Sequence, residues 1–62
     1  MNHYMVCIDN NNHKLVSCDN FDVDYKLGRL RFFNILEDKV EENVAIFNFN
    51  NIKGFWREER FQ

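Results

Sequence analysis

Apolar positions recur along this chain in short bursts separated by polar turns, and almost nowhere at the three- and four-residue spacing that marks a helix. Tyr4 to Ile8 is a run rich in strand-forming residues, and Lys14 to Cys18 restarts the pattern after Asp9-Asn10-Asn11-Asn12. Asn tolerates the left-handed backbone that tight hairpin turns need, so residues 3–18 are predicted to form a β-hairpin. A two-residue turn at Asn11-Asn12 sets Ile8 opposite Leu15, Cys7 opposite Val16 and Met5 opposite Cys18, and brings both cysteines onto one face. Phe21-Asp22-Val23-Asp24-Tyr25 alternates strictly, the mark of a strand with one dry and one wet face. The alternation shifts by one position at Gly28, which predicts a tight turn over residues 26–29.

Arg29 to Leu36 carries apolar groups on both faces and is predicted to be a central strand. The charged block Glu37 to Asn43 follows. Leu36, Val40 and Val44 are spaced by four, which allows at most one short helical turn near 37–43, but a polar hairpin loop fits the block better. Val44 to Trp56 is the most apolar and aromatic stretch. It reads as a two-faced strand to Phe49, a turn at Asn50-Asn51, and a last strand from Ile52 to Arg60. Gly54 within that strand marks a bulge or a close backbone approach. Short polar connections make successive strands antiparallel neighbours. The expected fold is a single all-β, mostly antiparallel domain over 1–62, a five- or six-stranded meander forming a small curled sheet or open barrel.

Composition sharpens this picture. The 62 residues include seven Phe, two Tyr and one Trp, and each aromatic can bury roughly 150–250 Å². That supports a packed core, and argues against disorder, in a chain short enough to bury only about 60% of its unfolded surface. It also leaves apolar surface for a partner or a second copy, so a homodimer is expected. The formal net charge of −2 fits neither a basic nucleic-acid domain nor a strongly acidic mimic of one. There is no apolar run of about 18 residues and no basic segment leading into an apolar one. A cytoplasmic chain without membrane contact is the expectation, with Cys7 and Cys18 reduced.

Catalytic and metal chemistry find little purchase. Metal sites favour close pairs such as CxxC or HxxxH, and Cys7, Cys18, His3 and His13 have no such spacing. The cysteines read as small buried hydrophobes, and neither a metal nor a cofactor is expected. Ser17 is the only Ser and lies in a predicted strand, with no glycine-rich elbow around it. Phosphate cradles need Gly-rich turns that open a helix, and the chain has two Gly. No catalytic residue is assigned and no enzymatic activity is expected.

Binding is better supported. Trp, Tyr and Arg dominate interface energetics, which singles out Phe55, Trp56, Arg57 and Arg60 on a terminal strand able to extend a sheet into a partner. Asp22 and Asp24, with Asp19, Glu37, Asp38, Glu41 and Glu42, form a candidate acidic edge for a basic protein surface. The alternative is single-stranded nucleic-acid or nucleotide binding on a small β-barrel, through Arg29, Arg31 and Lys53 beside Phe33, Phe55 and Trp56.

Ten Asn, with no Pro and no Thr, complete the compositional bias. Asn, Lys, Ile and Phe are read from A/T-rich codons, as in many bacteriophages and Firmicutes. With the segments Leu30-Arg31-Phe32-Phe33 and Val44 to Trp56, this bias resembles the small β-rich accessory proteins of phages and mobile elements, anti-CRISPR proteins among them. The resemblance implies a non-enzymatic protein that binds and inhibits a host defence protein in the bacterial cytoplasm. It carries over no functional residues.

Overall fold

The computed structural model describes residues 1–59, which form β1 (Asn2–Asp9), β2 (Asn12–Cys18), β3 (Asn20–Asp24), β4 (Arg29–Ile35), β5 (Glu41–Asn48) and β6 (Gly54–Arg57). A single 3-10 turn at Phe49–Asn51 is the only helical element among them. The strands form two antiparallel three-stranded sheets, ordered β2-β1-β6 and β3-β4-β5. The all-β expectation holds, and the described residues form no closed barrel.

The meander curls until its ends meet. β6 pairs with β1, Met5 lying opposite Trp56 and Val6 opposite Phe55, whereas β5 and β6 belong to different sheets despite their short connection. β5, expected to be two-faced, is therefore an edge strand, while β4 is central as its sequence indicates. Between β2 and β3 the chain changes sheet at Asp19 alone. Its amide donates to Phe33 O at 3.2 Å and to Asn34 Oδ1 at 3.0 Å, its Oδ2 accepts from Ile35 N at 2.8 Å, and its carbonyl accepts from Asn2 Nδ2 at 2.8 Å. A corner this sharp leaves backbone groups without ladder partners, and those bonds supply them.

The first hairpin departs from the expected register. Its turn residues are Asn10-Asn11, because Asp9 Oδ1 accepts from Asn11 N at 2.9 Å and Asp9 Oδ2 from Asn12 Nδ2 at 3.0 Å. This Asx turn, with a register shift between Cys7 and Asp9, sets Met5 opposite Leu15 and Cys7 opposite His13. An odd-numbered slip exchanges faces. Cys18 is accordingly fully buried inside, while Cys7 lies on the outer face.

The core lies between the two inner faces. Tyr4, Val6, Val16 and Cys18 from the first sheet meet Leu30 and Phe32 from the second. Phe32, fully buried, is the hub, with ring centroids 5.2 Å from Tyr4, 5.9 Å from Phe55, 6.1 Å from Phe47 and 6.3 Å from Phe21. Every strand except β2 contributes one ring to this cluster.

Two turns complete the second sheet. In the β3–β4 turn Gly28 takes φ +68°, and Asp24 Oδ1 accepts from Leu27 N at 3.0 Å. Of the block Glu37 to Asn43 expected as a hairpin loop, only residues 37–40 form one, because Glu41, Glu42 and Asn43 pair with β4 as the start of β5. Leu36 N donates to Val40 O and Lys39 N to Leu36 O, both at 2.9 Å, with Lys39 at φ 65°. No helical turn forms there. Gly54 marks neither a bulge nor a close approach, since its ladder with β1 runs in step and a Cβ there meets nothing within 4 Å.

Phe32→Ala is expected to cost about 3–5 kcal/mol, comparable to the whole stability of a domain this size, and so to abolish the cooperative urea transition. The two glycines are expected to diverge. Gly28→Ala should lower stability by about 1 kcal/mol because of its positive φ, and Gly54→Ala should raise it by about 0.5–1 kcal/mol by removing chain entropy from a strand. Urea midpoints moving in the same direction for both would contradict this assignment.

Candidate functional site

Each sheet keeps one face outside, and the two outer faces differ in chemistry. On the first sheet, odd-numbered positions of β1 and β2 point outward, because Tyr4, Val6, Val16 and Cys18 point in. Three cross-strand rows result. Ser17 lies beside His3; Leu15, Met5 and Trp56 cross all three strands; His13, Cys7 and Gly54 form the third row. The Leu15–Met5–Trp56 and His13–Cys7–Gly54 rows hold no Asp, Glu, Lys or Arg, and Glu58, whose amide donates to His3 O at 2.8 Å, continues the first row. Trp56 is 46% exposed and Leu15 41%, and the His13 ring sits edge-on to Trp56 at 5.8 Å.

His3 Nδ1 lies 2.7 Å from Ser17 Oγ, a contact that the sequence reading did not find because it placed the hairpin three residues out of register. A nucleophile needs a base and an oxyanion receiver together. This pair faces outward one step from the end of the β1–β2 ladder, without the glycine-rich elbow that presents a serine, and forms a cross-strand hydrogen bond.

The outer face of the second sheet is charged and internally satisfied. Arg31 on β4 forms a two-pronged pair with Asp22 on β3, Nε reaching Oδ1 at 3.2 Å and Nη2 reaching Oδ2. It also donates to Glu41 Oε1 at 2.9 Å and Asn43 Oδ1 at 3.1 Å on β5, and its guanidinium lies 4.3 Å from the centre of the Phe33 ring. One side chain thus ties three strands and covers Phe33. These bonds raise the Arg31 pKa further above its already high ordinary value.

The residues singled out from sequence are dispersed. Trp56 is on the outer face of the first sheet, but Phe55 points into the core against Phe21 and Phe32. Arg57 ends β6 and donates to Asn2 Oδ1 at 2.9 Å. Arg60 lies outside the described residues. Asp22 and Asp24 are on the other sheet, Asp22 held by Arg31 and Asp24 closing the β3–β4 turn. Arg29 and Arg31 share that face with these acids, while Lys53 precedes β6 at the end of the sandwich, so the basic residues do not converge into one groove. Among the described residues no three His, Cys, Asp or Glu side chains gather as metal ligands. Cys18 is held protonated, its pKa raised by burial.

Family models, curated proteins and solved structures were each compared with this chain, and none matches. Among the described residues no helix is long and apolar enough to cross a membrane.

Two carboxylates sit below the usual aspartate range, Asp22 through the hydrogen bonds from Arg31, and Asp9 through those from the Asn12 side chain and the Asn11 amide. As pH falls, the unfolded chain protonates first, near pH 4, roughly the ordinary aspartate value, while the folded chain resists until lower pH. The stability these groups supply is complete above about pH 4 and is lost as pH falls through the depressed native values. The urea midpoint is expected to drop on acidification through that window, and Asp22→Asn to remove part of the drop. An identical pH profile for Asp22→Asn and the wild type would remove Arg31–Asp22 from this account.

Proposed function

We propose that this chain is a non-enzymatic protein-binding module that docks its partner on the outer face of the first sheet, with Trp56 as the anchor. The observation that carries this reading is the uncharged Leu15–Met5–Trp56 row, flanked by His13, Cys7, His3 and Ser17. Interface cores are depleted in charge and enriched in aromatics and Met. Trp is among the strongest hot-spot residues. The opposite face supports docking less, because Asp22, Glu41 and Arg31 already satisfy one another. Nucleic-acid binding has weaker support for the same reason, since Arg31 is neutralised by its neighbours and Lys53 lies apart.

The biological setting we propose is that of a phage-type accessory protein that occupies and inhibits a host protein. Its support is the resemblance in size, composition and β-rich sequence pattern.

The test is affinity capture from nuclease-treated bacterial lysate, run in parallel with wild type, Trp56→Ala and a double Asp22→Lys, Asp24→Lys variant. A stoichiometric protein partner is expected to persist after nuclease and with the double variant. Trp56→Ala is expected to weaken its binding about 30-fold, the equivalent of a roughly 2 kcal/mol hot spot, with an unchanged urea midpoint. Retention of the partner by Trp56→Ala, or its loss with the double variant alone, would move the site to the second sheet. Concentration-dependent self-association removed by Leu15→Asp would identify a second copy as the occupant.

A further inference from the structure

The two sheets do not close on each other at the end where the β3–β4 turn meets the β5–β6 connection. A pocket of about 320 Å³ opens there, at the small end of the roughly 300–1,000 Å³ range of small-molecule sites. Its floor is the inward row Val23, Leu30 and Phe55, one residue each from β3, β4 and β6. Ile52 and Phe49, from the connection that carries the chain between sheets, form a wall. Phe49 is fixed there by its amide, which donates to Gly28 O at 2.9 Å. Tyr25 stands at the mouth with its ring edge-on to Phe49, centroids 6.0 Å apart, and is 84% exposed. An aromatic pair left in water beside an apolar floor is surface that a ligand can remove from solvent.

Charge selects the ligand. Lys53 is the one charged side chain in the lining, and no acid contributes to it. Its backbone is anchored by a 2.8 Å bond from its amide to Cys7 O, which fixes where its stem leaves the chain. The ion pairs among the described residues all belong to Arg31, and none engages Lys53.

We propose that this pocket binds a small amphipathic anion, a carboxylate with an alkyl or aromatic body. The apolar body lies on Val23, Leu30 and Phe55 under Tyr25 and Phe49, and the carboxylate meets the Lys53 ammonium at the rim. The pocket's size suits a short alkyl chain or a single ring system. This site opens at the end of the sandwich, apart from the Leu15–Met5–Trp56 row although Gly54 of the neighbouring row lines it, and it does not rest on the protein-docking reading.

The test is an amide NMR titration of the full chain with decanoate, with decylamine as the charge-swapped control. Decanoate is expected to give saturable shifts concentrated at Val23, Leu30, Phe49 and residues 52–55, and decylamine none that saturate there. Lys53→Glu is expected to weaken decanoate about tenfold, the scale of replacing an attractive surface charge by a repulsive one, and Lys53→Arg to retain it. Lys53 is exposed, so both variants keep the fold. Shifts that do not saturate or that centre on Met5, Leu15 and Trp56, equal binding of decylamine, or an unchanged affinity for Lys53→Glu would each overturn the proposal.

Discussion

With no helix among the described residues long enough to cover a sheet, each three-stranded sheet buries its apolar face against the other, and Phe32 is where that burial is joined. Its ring touches one aromatic from each of β1, β3, β5 and β6. Strands this short do not hold together by ladder bonds alone, because an isolated hairpin in water is marginal and a sheet needs a packed apolar face. The cluster adds aromatic pairs worth roughly 0.5–1.5 kcal/mol each beyond their area. It also explains why the last strand returns to β1. Pairing there puts Phe55 opposite Val6 on the inner face and within reach of Phe32 and Phe21.

What the core uses on the inside decides what remains outside. On the second sheet, Arg31 spans β3, β4 and β5 and shields Phe33, so that face presents matched charges and one covered ring. On the first sheet nothing plays this part. Trp56, Met5 and Leu15 remain in a row that itself holds no charge, with Glu58 beside His3 at the margin of the face. The edge strands are less inviting than the face. β5 carries a register irregularity against Phe32 and Phe33 that leaves Val44 unpaired, and a bulged edge is a poor template for another strand.

Much of this was legible from the chain. The alternation of Phe21 to Tyr25, the two-faced run at Phe32 and Phe33, and the polar loop after Leu36 place β3, β4 and their hairpins with little ambiguity. The candidate site was less legible. Three consecutive Asn allow the first turn to form in more than one frame, and it is Asp9, through its bonds to Asn11 and Asn12, that selects the frame in which Leu15, Met5 and Trp56 align. Phe55 and Trp56 look equivalent as neighbours in sequence. Only the pairing of β6 with β1 sends the first inward and the second outward.

The sequence by itself determined the class of fold, the number and approximate limits of the strands, and most of the residues able to form a core, because side-chain alternation is a local property with a period of two. The tertiary structure decided the register of the first hairpin, the partner of the last strand, and which charges meet across the second sheet. Those choices depend on hydrogen bonds at a single turn and on contacts between residues as distant as Met5 and Trp56, and no local period encodes them.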